Sequence, residues 1–427
     1  MNDARPRTPA ATAPMSAPLV VGLLAVLLGI QPITTDLYLP ALPAITSGFG
    51  APLSQAQLTL TGLLLAFGCS QMVWGPLSDH WGRRPVLLLG LALYTAASVG
   101  AALAPTMGSL VGWRVLQGAA MGAVVAVARA LVRDLYPPQQ GARVLSQALS
   151  GLGVIAAVSA PLGGWVTSQW GWRAALGVLT AFGLLALVWA ALRLQETLAQ
   201  PNPQALRLRV LAATWAQVLA HPTFRAYALL ATVSYAGLFT FLGASSFVFI
   251  DVLGVDRVHY GWAMLAMATS YLAGTHLCRR LLQRHSVSRT VGLAGGLSLA
   301  CGSLMGALPW LGVVHPLAVL LPFCGFMVAH GIHQPCGQSG AVGPFPHAAG
   351  AASALSGLMM MLAAFGVGSW LGWRLDGTVL PLTQGVWFWS AAIAAVAWTL
   401  VRRVDAAATV APAVSAPPNP SSGAPRT

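Results

Sequence analysis

The sequence predicts an all-α membrane protein with twelve transmembrane helices in two six-helix bundles. Only 7% of the 427 residues are charged and 56% are hydrophobic, whereas about a quarter of the residues in soluble domains are charged. The apolar residues lie in long, nearly uncharged runs, which is typical of membrane spans. Short features also recur in the two halves of the chain at a constant offset. Together, these observations exclude a soluble protein.

Twelve apolar runs of about 20 residues predict the spans. They cover 19–40, 56–76, 85–105, 109–133, 145–167, 173–193, 225–249, 259–279, 290–309, 314–336, 350–371 and 382–403. The longest connection, 194–224, divides the chain into an N-terminal bundle (19–193) and a C-terminal bundle (225–403). An even number of spans places both termini on the same side of the membrane.

The distribution of arginine predicts the orientation. All 22 basic side chains are Arg, and most lie in the loops and span ends of one side, whereas the other side carries Arg173, Arg257 and Arg374. Because cytosolic loops are enriched in basic residues, we expect both termini in the cytosol. The net charge of +13 lies in these short clusters and forms no basic stripe with aromatic residues, so we expect no binding of nucleic acid.

Three segments lie outside the predicted spans. Residues 1–18 and 404–427 are rich in Ala, Pro, Ser and Thr and are expected to be disordered cytosolic tails. Within the cytosolic central loop 194–224, segment 205–219 mixes Arg with Leu, Val and Trp. It is either a helix on the inner membrane surface or a loosely ordered linker, and its composition leaves both alternatives open.

A faint repeat relates the two halves. Arg84 precedes the third span and Arg289 precedes the ninth, an offset of 205 residues, and residues 161–165 resemble 366–370 at the same offset. Gly-Trp-Arg also follows the fifth span of each half. Two similar bundles related by an axis along the membrane normal would give this pattern, although chance similarity between Gly-rich apolar segments is the alternative.

Asp36 and Arg114 are the acid and the arginine that lie well inside predicted spans, where a charge is costly. Asp36 is about 26 Å above the inner face and Arg114 roughly 22 Å, at 1.5 Å per residue. Gln117 lies on the same helix face as Arg114. We therefore predict a cavity-facing ion pair that protonation of Asp36 breaks, as proton coupling requires. The alternatives are a static ion pair or an Asp36 solvated near the outer interface.

A polar cluster lies between the second and third spans. Asp79 can face a helix N-terminus, and Arg83 and Arg84 are the arginines expected to hold it. Asp134, at the cytosolic end of span four, is a second possible partner for those two arginines. Gly75 is expected to permit close helix approach and Gly82 to permit a tight turn. The alternative is an ordinary turn with cytosolic arginines.

Span ten carries two histidines three residues apart, His330 and His333, followed by Gln334. On a helix the two rings share a face, and histidine titrates near neutral pH. They are candidates for the cavity, where they would tune substrate choice or add a second proton site. The alternative is a pair of structural histidines bonded to backbone or water.

Several segments resemble the major facilitator superfamily, and in particular its Bcr/CflA drug-resistance branch. The cluster at 75–88 resembles the superfamily's loop signature, although His80 stands where that signature usually has Arg. Span five is similar to the signature of antiporters. The antiporter-like segment is 159–165, and the segments that resemble the branch are 36–43, 113–118, 128–134, 344–350 and 352–355.

This resemblance implies a proton-coupled exporter of small, chemically varied compounds in the bacterial inner membrane, working by rocking of two bundles. Asp36, Arg114 and Gln117 would line the central cavity, with Tyr38 as a further candidate, and the Asp79 cluster would latch the cytosolic side. Four residues would shape a bend in span five: Ala160, Pro161, Gly163 and Gly164.

The expected partners are small-molecule substrates, protons and the lipid bilayer, and the chain is expected to act as a monomer. No cofactor or metal is expected, because the proton gradient supplies the energy. The alternative function is export of one metabolite, such as an amino acid or siderophore. An intramembrane enzyme is disfavoured, since only His330 and His333 hint at a catalytic or metal cluster and the sequence has no HExxH motif and no second buried acid.

Overall fold

The computed structural model describes residues 16–136, 138–198, 200, 205–345 and 348–410. These ranges contain helices and no strand, so the predicted all-α class is confirmed. The helices are α1 (Ala17–Asp36), α2 (Leu42–Phe49), α3 (Leu53–Trp81), α4 (Arg83–Ala102), α5 (Met107–Leu135), α6 (Pro138–Trp170), α7 (Trp172–Arg193), α8 (Leu208–Ala220), α9 (Pro222–Ser246), α10 (Arg257–Leu282), α11 (Val287–Ala307), α12 (Pro316–Val342), α13 (Ala349–Arg374), α14 (Leu380–Val396) and α15 (Arg402–Val410).

Twelve of these helices are long and correspond in order to the twelve predicted spans. In the described ranges, eleven segments are long and apolar enough to cross a membrane. The twelfth long helix, α10, has 26 residues but is less apolar, since it contains three arginines and two histidines. It nevertheless packs against α6 and α12.

Alternation of the long helices gives the molecule two ends. The arginine-rich face holds the start of α1 and, for example, the junction of α3 with α4, where Arg83 contacts Asp134 at the end of α5. The opposite face holds the end of α4 and the start of α7, where Arg173 donates to the Ala104 carbonyl. Both contacts require neighbouring helices to run antiparallel.

The helices form two groups. In the first, α3 packs against α5, α5 and α7 pack against α4, and α1 packs against α6; in the second, α12 packs against α9, α10 and α11, while α11 packs against α14. The main contacts between the groups join α3 to α13 and α6 to α10. Shifting each helix by six spans exchanges these two contacts, which is the relation that the sequence repeat predicts.

The structure agrees with only some of the predictions for the segments outside the spans. Segment 205–219 forms most of helix α8, which packs against α9 and α13, so a loosely ordered linker is wrong for this segment. Residues 404–410 belong to α15, so the disorder predicted for 404–427 is wrong there. The remainder of both predicted tails, apart from residues 16–18, lies outside the described residues, as do Pro346 and His347 of one motif.

Candidate functional site

The Arg114 guanidinium is fully buried inside the N-terminal bundle. It donates to the Gln117 side-chain carbonyl at 2.6 Å, to the Thr34 backbone carbonyl at 3.2 Å and to the Thr59 carbonyl at 3.3 Å. Its carbon Cζ lies 4.1 Å from the centre of the Tyr38 ring, a cation–π contact. Arg114 therefore connects α1, α3 and α5 through neutral partners.

A second layer of buried hydrogen bonds holds these partners in place. The Tyr38 hydroxyl donates to Thr59 Oγ1 at 2.7 Å, and Gln117 donates to Ser98 Oγ at 2.6 Å. The hydroxyls of Tyr94 and Thr34 are 2.6 Å apart. The sequence prediction missed Thr34, Thr59, Tyr94 and Ser98. In the sequence, these residues could be recognised only as polar groups inside apolar spans, and Tyr94 and Ser98 also lie one helical turn apart.

Asp36 does not form the predicted ion pair with Arg114. Within the described ranges, no carboxylate oxygen lies within 4.0 Å of the Arg114 guanidinium nitrogens. Asp36 ends α1, is partly buried and accepts a hydrogen bond from Thr35 Oγ1 at 2.8 Å. Successive helical residues are about 100° apart, so Thr34 and Tyr38 share the side of the helix that faces Arg114, whereas Asp36 points away. Similar depth does not imply contact.

Asp36 instead faces the C-terminal bundle. Its charge acts on the phenol groups of Tyr235 in α9 and Tyr260 in α10. Tyr260 is fully buried, and its hydroxyl lies 2.8 Å from Ser245 Oγ. The partly buried acid therefore lies where the two bundles meet, and the buried cation lies inside one bundle.

The three candidates in α12 lie in the interior of the C-terminal bundle. His330 Nδ1 is 2.8 Å from Ser234 Oγ, and Gln334 donates to the Ala231 carbonyl at 2.9 Å. His333 is fully buried. These contacts join α12 to α9, and His330 bonds to a side-chain hydroxyl instead of backbone or water. Among the described residues, neither ring nitrogen of His333 has a hydrogen-bond partner.

The Asp79 cluster forms around Arg83, whose side chain is 2% exposed. The Arg83 guanidinium contacts the carboxylate of Asp79 at 2.6 Å and that of Asp134 at 2.7 Å, so one arginine binds both acids. Arg84 is not part of this cluster, because its side chain donates to the backbone carbonyls at the end of α7. A Cβ at Gly75 would meet no described atom within 4 Å, so the predicted close approach there is wrong.

Glu196 is a member of this region that the sequence prediction missed. Its carboxylate accepts hydrogen bonds from four backbone N–H groups at 2.9–3.1 Å, those of Arg83, Arg84, Thr197 and Leu198. Desolvation alone would raise the pKa of Glu196, but these donors outweigh it and hold the pKa below its usual value. Gly82 makes the arrangement possible, because it has φ +104° and a Cβ there would lie 2.5 Å from the carboxylate.

The candidate residues of span five lie at close contacts near the opposite face. A Cβ on Gly163 would overlap the Leu37 carbonyl, and one on Gly164 would overlap the Arg257 carbonyl. A Cβ on Gly261 of α10 would be 2.7 Å from Pro161 Cα and 3.1 Å from the Ala160 carbonyl oxygen. Helix α6 continues through Pro161 as one α-helix. These small residues let α6 touch both its own bundle and the other one.

Further contacts between the bundles lie at the same end. Gln57 donates to the Gly243 carbonyl, and Gly372 packs against Ser54. A cavity of about 570 Å³ opens nearby, with residues of both bundles in its wall, including Asp251 and Arg257. Toward the arginine-rich face, Arg129 Nη1 reaches Ser353 Oγ at 3.3 Å. Most of the named contacts between the bundles therefore lie in the half toward the opposite face.

Comparisons with known proteins agree with this architecture. A family model described as Major Facilitator Superfamily matches residues 24–369. The chain is 27% identical to the bicyclomycin resistance protein homolog of Haemophilus influenzae, over 85% of this chain and 90% of that protein. It is also 27% identical to multidrug resistance protein D of Escherichia coli, over 78% of this chain and 84% of that protein.

A solved structure shows the same fold. The xylose transporter XylE from E. coli has a TM-score of 0.71 and 13% identity, covering 91% of this chain and 98% of that one. The predicted arrangement of twelve helices in two bundles is confirmed by this likeness. The chain therefore belongs to the major facilitator superfamily of transporters, and its relatives confirm the resemblance to the Bcr/CflA drug-resistance branch.

Proposed function

We propose that the chain is a drug:proton antiporter that exports small, chemically varied compounds by alternating access. It works as a monomer in the bacterial inner membrane, with both termini in the cytosol and the proton gradient as its energy source, without a bound cofactor. The names of two relatives, for bicyclomycin resistance and multidrug resistance, support the substrate class. The arginine-rich face supports the orientation, because basic loops remain in the cytosol.

The observation that carries this proposal is the position of Asp36 between the bundles. A carboxylate there adds a negative charge beside Tyr235 and Tyr260 of the other bundle. Protonation removes that charge and so changes the free energy of the contact between the bundles. A proton taken from one side and released to the other thereby biases the two orientations in turn, which coupled exchange requires.

Arg114 acts on this step from inside the N-terminal bundle. Its charge is buried among neutral partners in α1, α3 and α5. Gln117 and Tyr38 hold the guanidinium in one position. We assign Arg114 the role of joining α1, the helix that ends at Asp36, to α3 and α5, in place of a direct ion pair.

The two ends of the molecule carry the conformational change. The glycine contacts of α6 close the opposite face, and the Arg83 cluster ties α3, α4 and α5 together at the arginine-rich face. Opening of the opposite face separates α6 from α10 and α3 from α13, while the arginine-rich ends approach each other. The cluster at Asp79 then serves as the cytosolic latch. His330, which contacts Ser234 inside the C-terminal bundle, is assigned a structural role.

Reconstituted proteoliposomes test the coupling. An imposed proton gradient should drive chloramphenicol or ethidium transport, and added drug should drive proton movement in the reverse direction. Asp36→Asn should abolish both while the purified variant still binds drug. Asp376→Asn, which removes an exposed acid on a loop at the opposite face, is the matched control and should keep full coupling.

Two outcomes would contradict the proposal. Unchanged drug-driven proton movement in Asp36→Asn would remove Asp36 from the coupling step. One tightly bound compound and no competition from others, in a panel on the purified protein, would instead favour export of a single metabolite.

A further inference from the structure

Two buried thiols face each other between α10 and α12. Cys278 Sγ and Cys336 Sγ are 3.7 Å apart, and each residue is only 3% exposed. Neither residue takes part in the Asp36, Arg114 or Arg83 clusters. Both lie in the halves of their helices toward the arginine-rich face, since α10 ends at Leu282 and α12 ends at Val342.

The close thiol contact follows from the packing of the two helices. Gly274 and Gly331 lie at the crossing, where a Cβ on Gly274 would overlap the Val328 carbonyl and one on Gly331 would be 2.5 Å from the Tyr271 carbonyl oxygen. With no side chain between them, the backbones approach closely. Cys278 is one helical turn beyond Gly274, so the crossing holds the two thiols against each other.

We propose that Cys278 and Cys336 form a modification site, a dithiol that a hydroperoxide converts into a disulfide between α10 and α12. Each thiol gives up one proton and one electron as the S–S bond forms. The O–O bond of the peroxide breaks, and hydrogen peroxide leaves as two molecules of water. A thiol reductant such as dithiothreitol reverses the reaction by exchange.

Disulfide formation requires the two sulfur atoms to approach each other. The sulfur atoms are 3.7 Å apart and a disulfide is about 2.05 Å long, so they must approach by about 1.6 Å. On its other side, α10 contacts α6 of the N-terminal bundle, where Gly261 lies against Pro161. Drawing α10 toward α12 therefore disturbs a contact between the bundles. We expect the oxidised protein to transport at least twofold more slowly, and this effect alone rests on the proposed function.

Mass spectrometry of the purified full-length protein tests the chemistry. Under denaturing alkylation after mild peroxide treatment, two of the five thiols should be lost, and digestion should yield one linked peptide pair containing Cys278 and Cys336. In the variants Cys278→Ser and Cys336→Ser, which each keep only one of the two thiols, peroxide treatment should not remove a pair of thiols. The double variant Cys301→Ser with Cys324→Ser, which keeps both proposed partners, should still lose two.

Phenylarsine oxide provides a second measurement without oxidation. It bridges two thiols with loss of one water molecule, so it should protect the pair from alkylation in the wild-type protein and fail to do so in either serine variant. The peptide map of the wild-type protein tests the proposal even if the serine variants do not fold. Absence of the linked peptide, or linkage of other cysteines, would overturn the proposal.

Transport measurements separate this proposal from the function proposed above. A wild-type protein that transports, forms the disulfide and slows reversibly supports both. A protein that forms the disulfide yet shows no drug transport even when reduced supports the dithiol site and contradicts the exporter. Full transport speed in the oxidised protein would contradict the expected effect of the disulfide on the contact between α10 and α6.

Discussion

The carboxylate of Glu196 accepts a hydrogen bond from the backbone N–H of Arg83 at 2.9 Å, although 113 residues separate them. The contact places the start of the central connection against the N-terminus of α4, the helix that begins at the Arg83 cluster. An acid at a helix N-terminus satisfies otherwise unpaired N–H groups and interacts favourably with the helix dipole. The connection between the bundles is thereby tied to the predicted latch.

This contact predicts a pH-dependent stability. The pKa of Glu196 is lowered in the folded protein, so its contribution is fully present above the pKa of the unfolded chain and is lost as pH falls through the lower folded value. Glu196→Gln should lower the melting temperature at pH 7 by the equivalent of less than about 1 kcal/mol, because Gln keeps one acceptor oxygen and solvent screens the exposed carboxylate. It should also flatten the decline of melting temperature at acidic pH. If the melting temperature of Glu196→Gln declined at acidic pH as steeply as that of the wild type, the role of Glu196 would be contradicted.

Gly82 and Gly75 form a matched pair for testing the turn between α3 and α4. Gly82→Ala should destabilise the protein by about 1–3 kcal/mol, because its φ of +104° strains any L residue and the new Cβ would collide with Glu196. Gly75→Ala should be neutral or slightly stabilising, since its Cβ would meet no described atom within 4 Å and Ala favours a helix. Thermal unfolding of both purified variants checks this, and equal losses would contradict it.

The Arg83 cluster predicts unequal effects of its two acids. Asp134 is 13% exposed and Asp79 is 38% exposed. Asp134→Asn should therefore cost about 2 kcal/mol or more, toward the cost of breaking a buried ion pair. Asp79→Asn should cost less than about 1 kcal/mol, as for surface pairs. A double-mutant cycle with Arg83→Gln measures both pairs, and a larger coupling for Asp79 would contradict the geometry.

The Arg114 network predicts that charge alone does not replace a guanidinium. Arg114→Lys should reduce transport at least tenfold, because one ammonium group cannot reach the Gln117, Thr34 and Thr59 oxygens together. Tyr38→Phe should reduce it only severalfold, since the ring face remains and only the bond to Thr59 is lost. Drug uptake into inverted vesicles checks both variants. Equal activity of Arg114→Lys and wild type would refute the network's role.

The sequence by itself determined the spans, their alternation and the local charge clusters. Hydrophobic runs report burial in lipid directly, and Asp79, Gly82 and Arg83 are neighbours along the chain, so their proximity in the fold is nearly a local matter. The prediction was weakest for α10, where arginines and histidines interrupt the apolar run.

Only the tertiary structure decided which way each buried side chain points and which distant groups it meets. Asp36 and Arg114 have similar predicted depths, but rotation about the α1 axis turns Asp36 toward Tyr235 and Tyr260 and away from Arg114. The bond from Glu196 to the start of α4 likewise joins distant parts of the chain. Residue spacing along a helix gives relative angles and heights, but the absolute rotation of the helix and its neighbours are set by packing of the whole bundle.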